Sequence, residues 1–115
     1  MSDRPLEWMG SSLEDIAAMP SPVKVSFGYR LRLIQKGKPA MDVKALKQLG
    51  AGVFELREAF GGDAYRAVYV ANLKRAIYVL HVFVKKSKSG IGLPRRDSEL
   101  IATRFKRARS LDAEI

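Results

Sequence analysis

The segment at 76–84, which reads AIYVLHVFV, constrains the fold more than any other part of the chain. Eight of its nine residues are apolar, and β-branched and aromatic side chains dominate it. A helix that crosses a membrane needs about 20 apolar residues, whereas this length and composition favour a β-strand. Because successive positions are apolar, rather than alternate ones, the segment is predicted to be the central strand of a sheet, covered on both faces.

Shorter segments with strand character precede it. Residues 53–57 alternate between apolar and polar side chains, and residues 65–70 are predicted to form the next strand. The segments at 61–63 and 71–75 are predicted to be the turns between these strands. A further short strand is predicted at 6–9, so the strands together predict a small antiparallel sheet.

The N-terminal third of the chain has the period of a helix instead. A short helix is predicted over 12–19, with Ser11 as its N-cap and Glu14 completing a capping box. A second helix is predicted to be capped by Ser21 and to end at Gly37. Its apolar side chains recur at helical spacing: Val23, Phe27, Leu31 and Ile34.

Residues 38–49 are predicted to be mostly loop, and a last helix is predicted to follow an N-cap at Asp97 or Ser98. The apolar side chains of this helix face one side: Leu100, Ile101, Phe105 and Ala108. The 115 residues show no internal repeat and no linker, which predicts a single domain over 1–115. The predicted fold class is α+β, with a small antiparallel sheet packed against an N-terminal helical hairpin and a C-terminal helix.

Positive charge is concentrated towards the C-terminus. The chain has a formal net charge of +9, and nine basic against two acidic residues give +7 to residues 85–109. The nine are Lys85, Lys86, Lys88, Arg95, Arg96, Arg104, Lys106, Arg107 and Arg109. Such a cluster attracts polyanions, although a solvated basic surface is the alternative interpretation.

Several function classes are not expected from this composition. The chain has no cysteine, which excludes disulfides and thiolate metal sites and agrees with a reducing cytosol. Residues 1–10 lack the apolar core of a signal peptide, so export is not expected and a cytoplasmic protein without a membrane partner is predicted. The single histidine, His81, cannot anchor a metal site alone, so neither a metal nor a cofactor is predicted.

Three segments, in this order and spacing, resemble the phage-related branch of the RelE/HigB toxins: GAGVFELR at 50–57, YRAVY at 65–69 and YVLHVFVKKS at 78–87. The resemblance runs over about residues 5–109 and implies a RelE-like fold. It also implies the toxin of a toxin–antitoxin pair, an endoribonuclease that cleaves mRNA on the ribosome and so inhibits translation. Because the sequence has no set of metal ligands, this enzyme is predicted to be metal-independent. The resemblance further implies a helix-turn-helix antitoxin, encoded by the neighbouring gene, that neutralises the toxin. The toxin would then contact operator DNA only through this antitoxin.

The resemblance also implies a catalytic set. It puts a phosphate-contacting arginine at Arg66 and a basic residue near the scissile phosphate at Lys85 or Lys86. Arg57 ends the preceding strand and would lie beside Arg66. Because successive side chains of a strand point to opposite faces of the sheet, only one of Lys85 and Lys86 is expected in the site. Lys86 is preferred. Arginine and lysine donors can stabilise the charge that develops on a phosphate during cleavage.

Each of these positions has a structural alternative. The two arginines can instead form ion pairs with Glu55 or Glu58 on the sheet, and the lysines can be a solvated strand end. His81 has an ordinary pKa near neutrality, but within an apolar strand it is expected to be a hydrogen-bonded core residue rather than a catalyst. Phe83 can stack on RNA bases or fill the core.

Three further basic residues are predicted to bind RNA: Lys88, Arg95 and Arg96. One feature departs from the family pattern, because several relatives carry a tyrosine or another acid–base residue in the C-terminal segment. Residues 87–115 contain no tyrosine and no histidine, and Phe105 is their single aromatic residue. A non-catalytic nucleic-acid-binding module, or a corepressor of the antitoxin, is therefore the alternative function.

Overall fold

The computed structural model describes residues 3–85 and 93–114. These residues form a five-stranded sheet with helices on both faces. The elements in chain order are β1 (Leu6–Trp8), α1 (Ser12–Ala17), α2 (Ser21–Gln35), β2 (Val43–Ala45), β3 (Val53–Phe60), β4 (Asp63–Val70), β5 (Ile77–Lys85) and α3 (Arg95–Ala113). None of the helices in the described ranges is long and apolar enough to cross a membrane.

The strands are arranged in the order β1-β5-β4-β3-β2. The predicted α+β fold and its antiparallel meander of β3, β4 and β5 are confirmed. The expectation that the first strand joins in antiparallel fashion is wrong, since β1 runs parallel to β5 and Leu6 lies opposite Ile77. Tight hairpins impose antiparallel pairing, and β1 continues into α1 rather than into a hairpin, so nothing local sets its direction.

The two faces of the sheet bury separate apolar clusters. On one face, α1 and α2 pack against the strands through Ile16, Val23, Phe27, Leu31, Leu56, Ala67, Tyr69, Ile77, Val79 and Val82. On the other face, α3 packs through Ile101, Phe105 and Ala108. The strand β5 is buried on both faces from Ile77 to Phe83, as its uninterrupted apolar sequence predicts.

A β-bulge interrupts the alternation of β5. Val68 lies opposite His81 and Tyr69 lies opposite Val79, so Leu80 is an extra residue on β5. A bulge of this kind shifts the alternation of side chains by one position. Ile77 and Val79 therefore share the α2 side with Val82, whereas Phe83 joins the α3 side.

The helix starts and one connection differ from the predictions. The backbones of Pro20 and Pro94 are extended, with ψ of 144° and 146°, and stand at the N-cap positions of α2 and α3. Consequently Ser21 and Asp97 lie inside the first turns instead of capping them, because proline is favoured where a helix begins and no amide is needed. The hydroxyl of Ser11 donates to Asp15 Oδ2 at 2.8 Å and makes no cap bond. Part of the predicted loop at 38–49 forms β2, the edge strand of the sheet.

Candidate nucleic-acid interface

A basic cleft lies on the α3 side of the sheet, towards the hairpin that joins β3 and β4. Its volume is about 240 Å³. The residues that line it are Lys44, Leu46, Gln48, Glu55, Arg57, Arg66, Lys85 and Leu93. Four cations therefore face a single carboxylate, which gives the cleft a net positive charge.

The sheet register explains why the cations meet. Arg57 on β3 lies directly opposite Arg66 on β4, and Arg66 lies opposite Phe83 on β5. Directly opposite residues on neighbouring strands share a face of the sheet, with Cβ atoms roughly 4.5–5.5 Å apart. Lys85 lies two residues beyond Phe83 and lines the same cleft. The predicted neighbourhood of Arg57 and Arg66 is thus confirmed, and β5 contributes a lysine to it.

The position of Lys85 depends on the bulge at Leu80. Without the extra residue, simple alternation would put Lys85 on the same side as Ile77 and Val79, facing α2. The bulge moves it to the α3 side with Phe83. Lys86, which was preferred from the sequence, and Lys88 lie outside the described residues.

Glu55 is buried at the base of the cleft and pairs with Arg66. The distance between Arg66 Nη1 and Glu55 Oε1 is 2.9 Å, and the side chains are 14% and 4% exposed, respectively. The ion pair that the sequence offered as an alternative for Arg66 is therefore formed. Glu58, the other candidate, pairs with Arg30 at 2.8 Å instead.

The two arginines of the cleft differ in what they leave unbound. Arg66 Nε is buried and has no hydrogen-bond partner within the described residues. Arg57 is exposed, and no ion pair to it is found in the described parts of the chain. The fold thus leaves the exposed guanidinium group of Arg57 free to bind, and its donors match phosphate oxygens geometrically.

His81 has hydrogen bonds at both ring nitrogens. Nε2 lies 2.7 Å from Asp97 Oδ1, and Nδ1 lies 3.2 Å from Arg104 Nη1. A guanidinium only donates, so Nδ1 accepts and the proton of the neutral ring lies on Nε2, facing Asp97. The His81 side chain is 7% exposed and does not line the cleft. This is the geometry of a satisfied core histidine.

The remaining candidates lie around the cleft or away from it. Phe83 is 8% exposed, belongs to the α3-side core, and stacks on His81 with 4.8 Å between ring centroids. Arg95 and Arg96 are exposed in the first turn of α3 and do not line the cleft. Arg95 forms an ion pair with Glu99 at 3.1 Å.

Two charged residues of the cleft, Glu55 and Lys44, were not singled out as site residues from the sequence. Glu55 precedes Arg57 by two positions on the same strand, so period-two alternation could have placed it on the same face. Lys44 lies opposite Glu55 on β2. No sequence pattern identified this three-residue strand, so nothing indicated where Lys44 would lie.

Comparison with known proteins gives a family match. The family model described as "Phage derived protein Gp49-like (DUF891)" matches residues 14–106, which is more than half of the chain and includes every residue that lines the cleft. The searches of curated proteins and of solved structures gave no significant match. Within 3–85 and 93–114, no group of three or more histidine, aspartate or glutamate side chains lies close enough together to hold a metal ion.

Proposed function

Because the chain belongs to the Gp49-like family of phage-derived proteins, which is associated with toxin–antitoxin toxins, we propose that it is a toxin of the RelE/HigB type that cleaves mRNA on the ribosome. The observation that carries the proposal is the basic cleft. It combines unused arginine donors with one carboxylate, and the cleavage of RNA by its own 2′-hydroxyl needs both kinds of group.

In the proposed reaction, Glu55 accepts the proton of the 2′-hydroxyl. The 2′-oxygen then attacks the adjacent phosphorus, forming an O2′–P bond while the P–O5′ bond breaks. The ion pair with Arg66 fixes the carboxylate through Oε1, which leaves Oε2 as the proton acceptor. A general base must lie within hydrogen-bond reach of the proton that it accepts. RNA bound in the cleft would bring its 2′-hydroxyl within that distance of Glu55.

The cations have the complementary task. Arg57 and Arg66 donate to the nonbridging oxygens of the scissile phosphate, whose negative charge increases in the transition state. The Lys85 ammonium group donates a proton to the departing 5′-oxygen. The products are a 2′,3′-cyclic phosphate and a 5′-hydroxyl, and no divalent ion takes part in any step.

Primer extension on ribosome-bound message tests this reaction. Arg57→Ala is the most informative variant, because Arg57 is exposed and its loss breaks no ion pair in the described chain. Losing one charged donor at a transition state slows a reaction by about 10²–10³. The matched control is Lys24→Ala, which removes one exposed positive charge from α2, on the opposite side of the sheet. Wild type and control should cleave in EDTA under conditions that keep ribosomes intact.

Three results would contradict the proposal: cleavage by Arg57→Ala at the wild-type rate, cleavage by Glu55→Gln at the wild-type rate, or arrest by EDTA with intact ribosomes. If the wild-type protein binds RNA but never cuts it, the cleft belongs to a non-catalytic binding module. The ion pair between Glu55 and Arg66 is the observation in favour of that second function, since it occupies the one carboxylate of the cleft, which catalysis needs and binding does not.

The proposed toxin also requires a partner that silences it. We expect a helix-turn-helix antitoxin, encoded beside this protein, to bury Arg57 or Arg66 when it binds, because electrostatic complementarity favours acidic groups over the cleft. The test is to co-express and co-purify the two proteins and then to measure how far the complex protects the two arginines from chemical modification. A complex in which neither arginine is more protected than in the free protein would contradict it.

A further inference from the structure

The solvent-facing side of α3 is a second basic surface. The buried residues Ile101, Phe105 and Ala108 hold the helix against the sheet. The residues on its opposite side are all exposed, and we call them the α3 outer face: Arg95, Arg96, Glu99, Thr103, Lys106, Arg107 and Ser110. Arg96, Thr103 and Arg107 follow at intervals of seven and four residues, so they lie nearly in line along the helix.

Most of the positive charges of this face form no ion pair within the described residues. Glu99 is its single acidic residue and already pairs with Arg95. Arg96, Lys106 and Arg107 have no ion pair within 3–85 and 93–114. Arg95 and Arg96 lie in the first turn, where the positive end of the helix dipole disfavours cations, so the fold gains little from them beyond the exposed pair with Glu99. A negatively charged partner would account for them.

The chemistry of the face favours a phosphate backbone over unpaired bases. Proteins that hold single-stranded RNA stack its bases on exposed aromatic side chains. The single aromatic residue of α3, Phe105, is 6% exposed and packs in the core. The outer face offers charged and small polar groups in a straight row on a rigid helix. Such a row fits the regular phosphates of a duplex, which is bound mostly by shape and backbone contacts.

The face also adjoins the basic cleft. Leu93 lines the cleft, and α3 begins two residues later at Arg95. From Arg96 to Arg107 the row extends for roughly 16 Å along the helix at 1.5 Å per residue. A nucleic acid held in the cleft therefore has the Arg96 end of the cationic row near it.

We propose that the α3 outer face binds the phosphate backbone of double-stranded RNA next to the message segment held in the cleft. The choice of RNA over DNA rests on the proposed function, whereas the choice of a duplex backbone rests on the face itself. The surface is separable from the cleft, since Arg57, Arg66 and Lys85 belong to the strands and the row belongs to the helix.

The experiment measures binding of a fluorescent RNA hairpin with a fully paired stem, by anisotropy, between about 50 and 200 mM salt. The test variant is the double substitution Arg96→Ala and Arg107→Ala. Its matched control is Lys24→Ala with Lys36→Ala, which removes the same charge from exposed positions of α2 and its C-cap. Each lost phosphate contact lowers the slope of log affinity against log salt by about one, so the test variant should lose about two and the control almost none.

A test variant with the wild-type affinity and salt slope would overturn the proposal, as would an equal loss in the control. A DNA duplex of the same sequence is measured in parallel, and binding at least as tight as the hairpin's would overturn the choice of RNA. Failure of the proposed function looks different: the wild-type protein then leaves message uncut, while the loss of hairpin binding in the test variant persists. Thermal melting verifies that both double variants are folded.

Discussion

The basic cleft and the contacts that hold α3 on the sheet use similar side chains in opposite ways. Where α3 begins, both ring nitrogens of His81 are occupied, by Asp97 and by Arg104. Where α3 ends, Asp112 accepts from the backbone amides of Lys74 and Arg75 at 2.8 and 2.7 Å and from the Tyr78 hydroxyl at 3.0 Å. These two clusters are complete, with each carboxylate and ring paired.

The cleft is incomplete by comparison. Its four cations face the single carboxylate of Glu55, which pairs with Arg66. The exposed Arg57 has no ion pair in the described chain. The difference teaches that the complete clusters fix the position of α3, whereas the cleft keeps its binding capacity for a molecule outside the fold.

The largest expected effect follows from Arg66→Ala. Cleavage of ribosome-bound message should slow by about 10²–10³, and the loss of the partner of Glu55 should destabilise the protein by about 3–5 kcal/mol, as for a buried ion pair that is broken. The control Arg30→Ala breaks the pair with Glu58 on the other side of the sheet. It should destabilise the protein without affecting cleavage by folded molecules. Primer extension measures cleavage and urea unfolding measures stability. Equal cleavage by Arg66→Ala and Arg30→Ala would contradict the view that the cleft, and not the α2 side of the sheet, carries the activity.

His81→Ala should affect stability rather than cleavage. The substitution removes the hydrogen bonds of the ring to Asp97 and Arg104, each of which contributes about 0.5–1.5 kcal/mol. It also removes the ring that stacks on Phe83. Urea unfolding should show the loss, while the cleavage rate per folded molecule remains that of the wild type. A rate loss as large as that of Arg57→Ala would move His81 from the core to the catalytic site.

Asp112→Asn should change how stability depends on pH. Desolvation alone would raise the pKa of Asp112, but hydrogen bonds from the Arg75 and Lys74 amides and the Tyr78 hydroxyl outweigh it and hold the pKa below its usual value. A lowered pKa in the folded state means that the contribution is present at neutral pH and is lost as the pH falls through that pKa. The melting temperature of the variant should be lower at pH 7 and approach that of the wild type in acid. A constant difference at all pH values would contradict this.

Tyr78 gives the same cluster a second pH limit. Burial first, and then the hydrogen bond and charge of Asp112, raise the pKa of Tyr78 to about 12 from 10.0. Because the unfolded state ionises first, stability should fall as the pH rises through this interval. Burial also raises the pKa of Tyr69 to about 12, so Tyr78→Phe should reduce the alkaline loss without abolishing it. If Tyr78→Phe leaves the fall of the melting temperature at alkaline pH unchanged, this role of Tyr78 is contradicted.

Glu99→Gln should have the smallest effect. It breaks the exposed pair with Arg95, and pairs of this kind at i,i+4 contribute about 0.3–0.5 kcal/mol. The same change removes the acidic residue of the α3 outer face, so the RNA hairpin should bind more tightly and with a steeper salt dependence. Weaker hairpin binding by this variant would contradict the role given to that face.

Local sequence patterns were sufficient to predict the centre of the sheet. The apolar run of β5 specified a strand covered on both faces, and Gly61 and Gly62, with φ of 59° and 85°, form the tight turn that sets the register of β3 and β4. That register brought Arg57 opposite Arg66. Both features are encoded by neighbouring residues, which is why they could be predicted.

Features that depend on distant contacts could not be predicted in this way. The extra residue at Leu80 leaves no trace in an apolar run, yet it decides which face Lys85 joins. The strand β2 is three exposed residues long and exists through its pairing with β3, so Lys44 could not be assigned to the cleft. The predicted helix caps were wrong because the N-cap positions are taken by Pro20, one residue before Ser21, and by Pro94, three residues before Asp97.

The parallel pairing of β1 with β5 has a consequence for the order of events during synthesis. Leu6 lies opposite Ile77, and at about 5–20 residues per second a ribosome makes the two positions roughly 4–14 s apart. Throughout that interval β1 has no strand to join, and contacts so distant in sequence slow folding further. Lys85 and Leu93 emerge later still, so a nascent chain completes its basic cleft only after all five strands have been made.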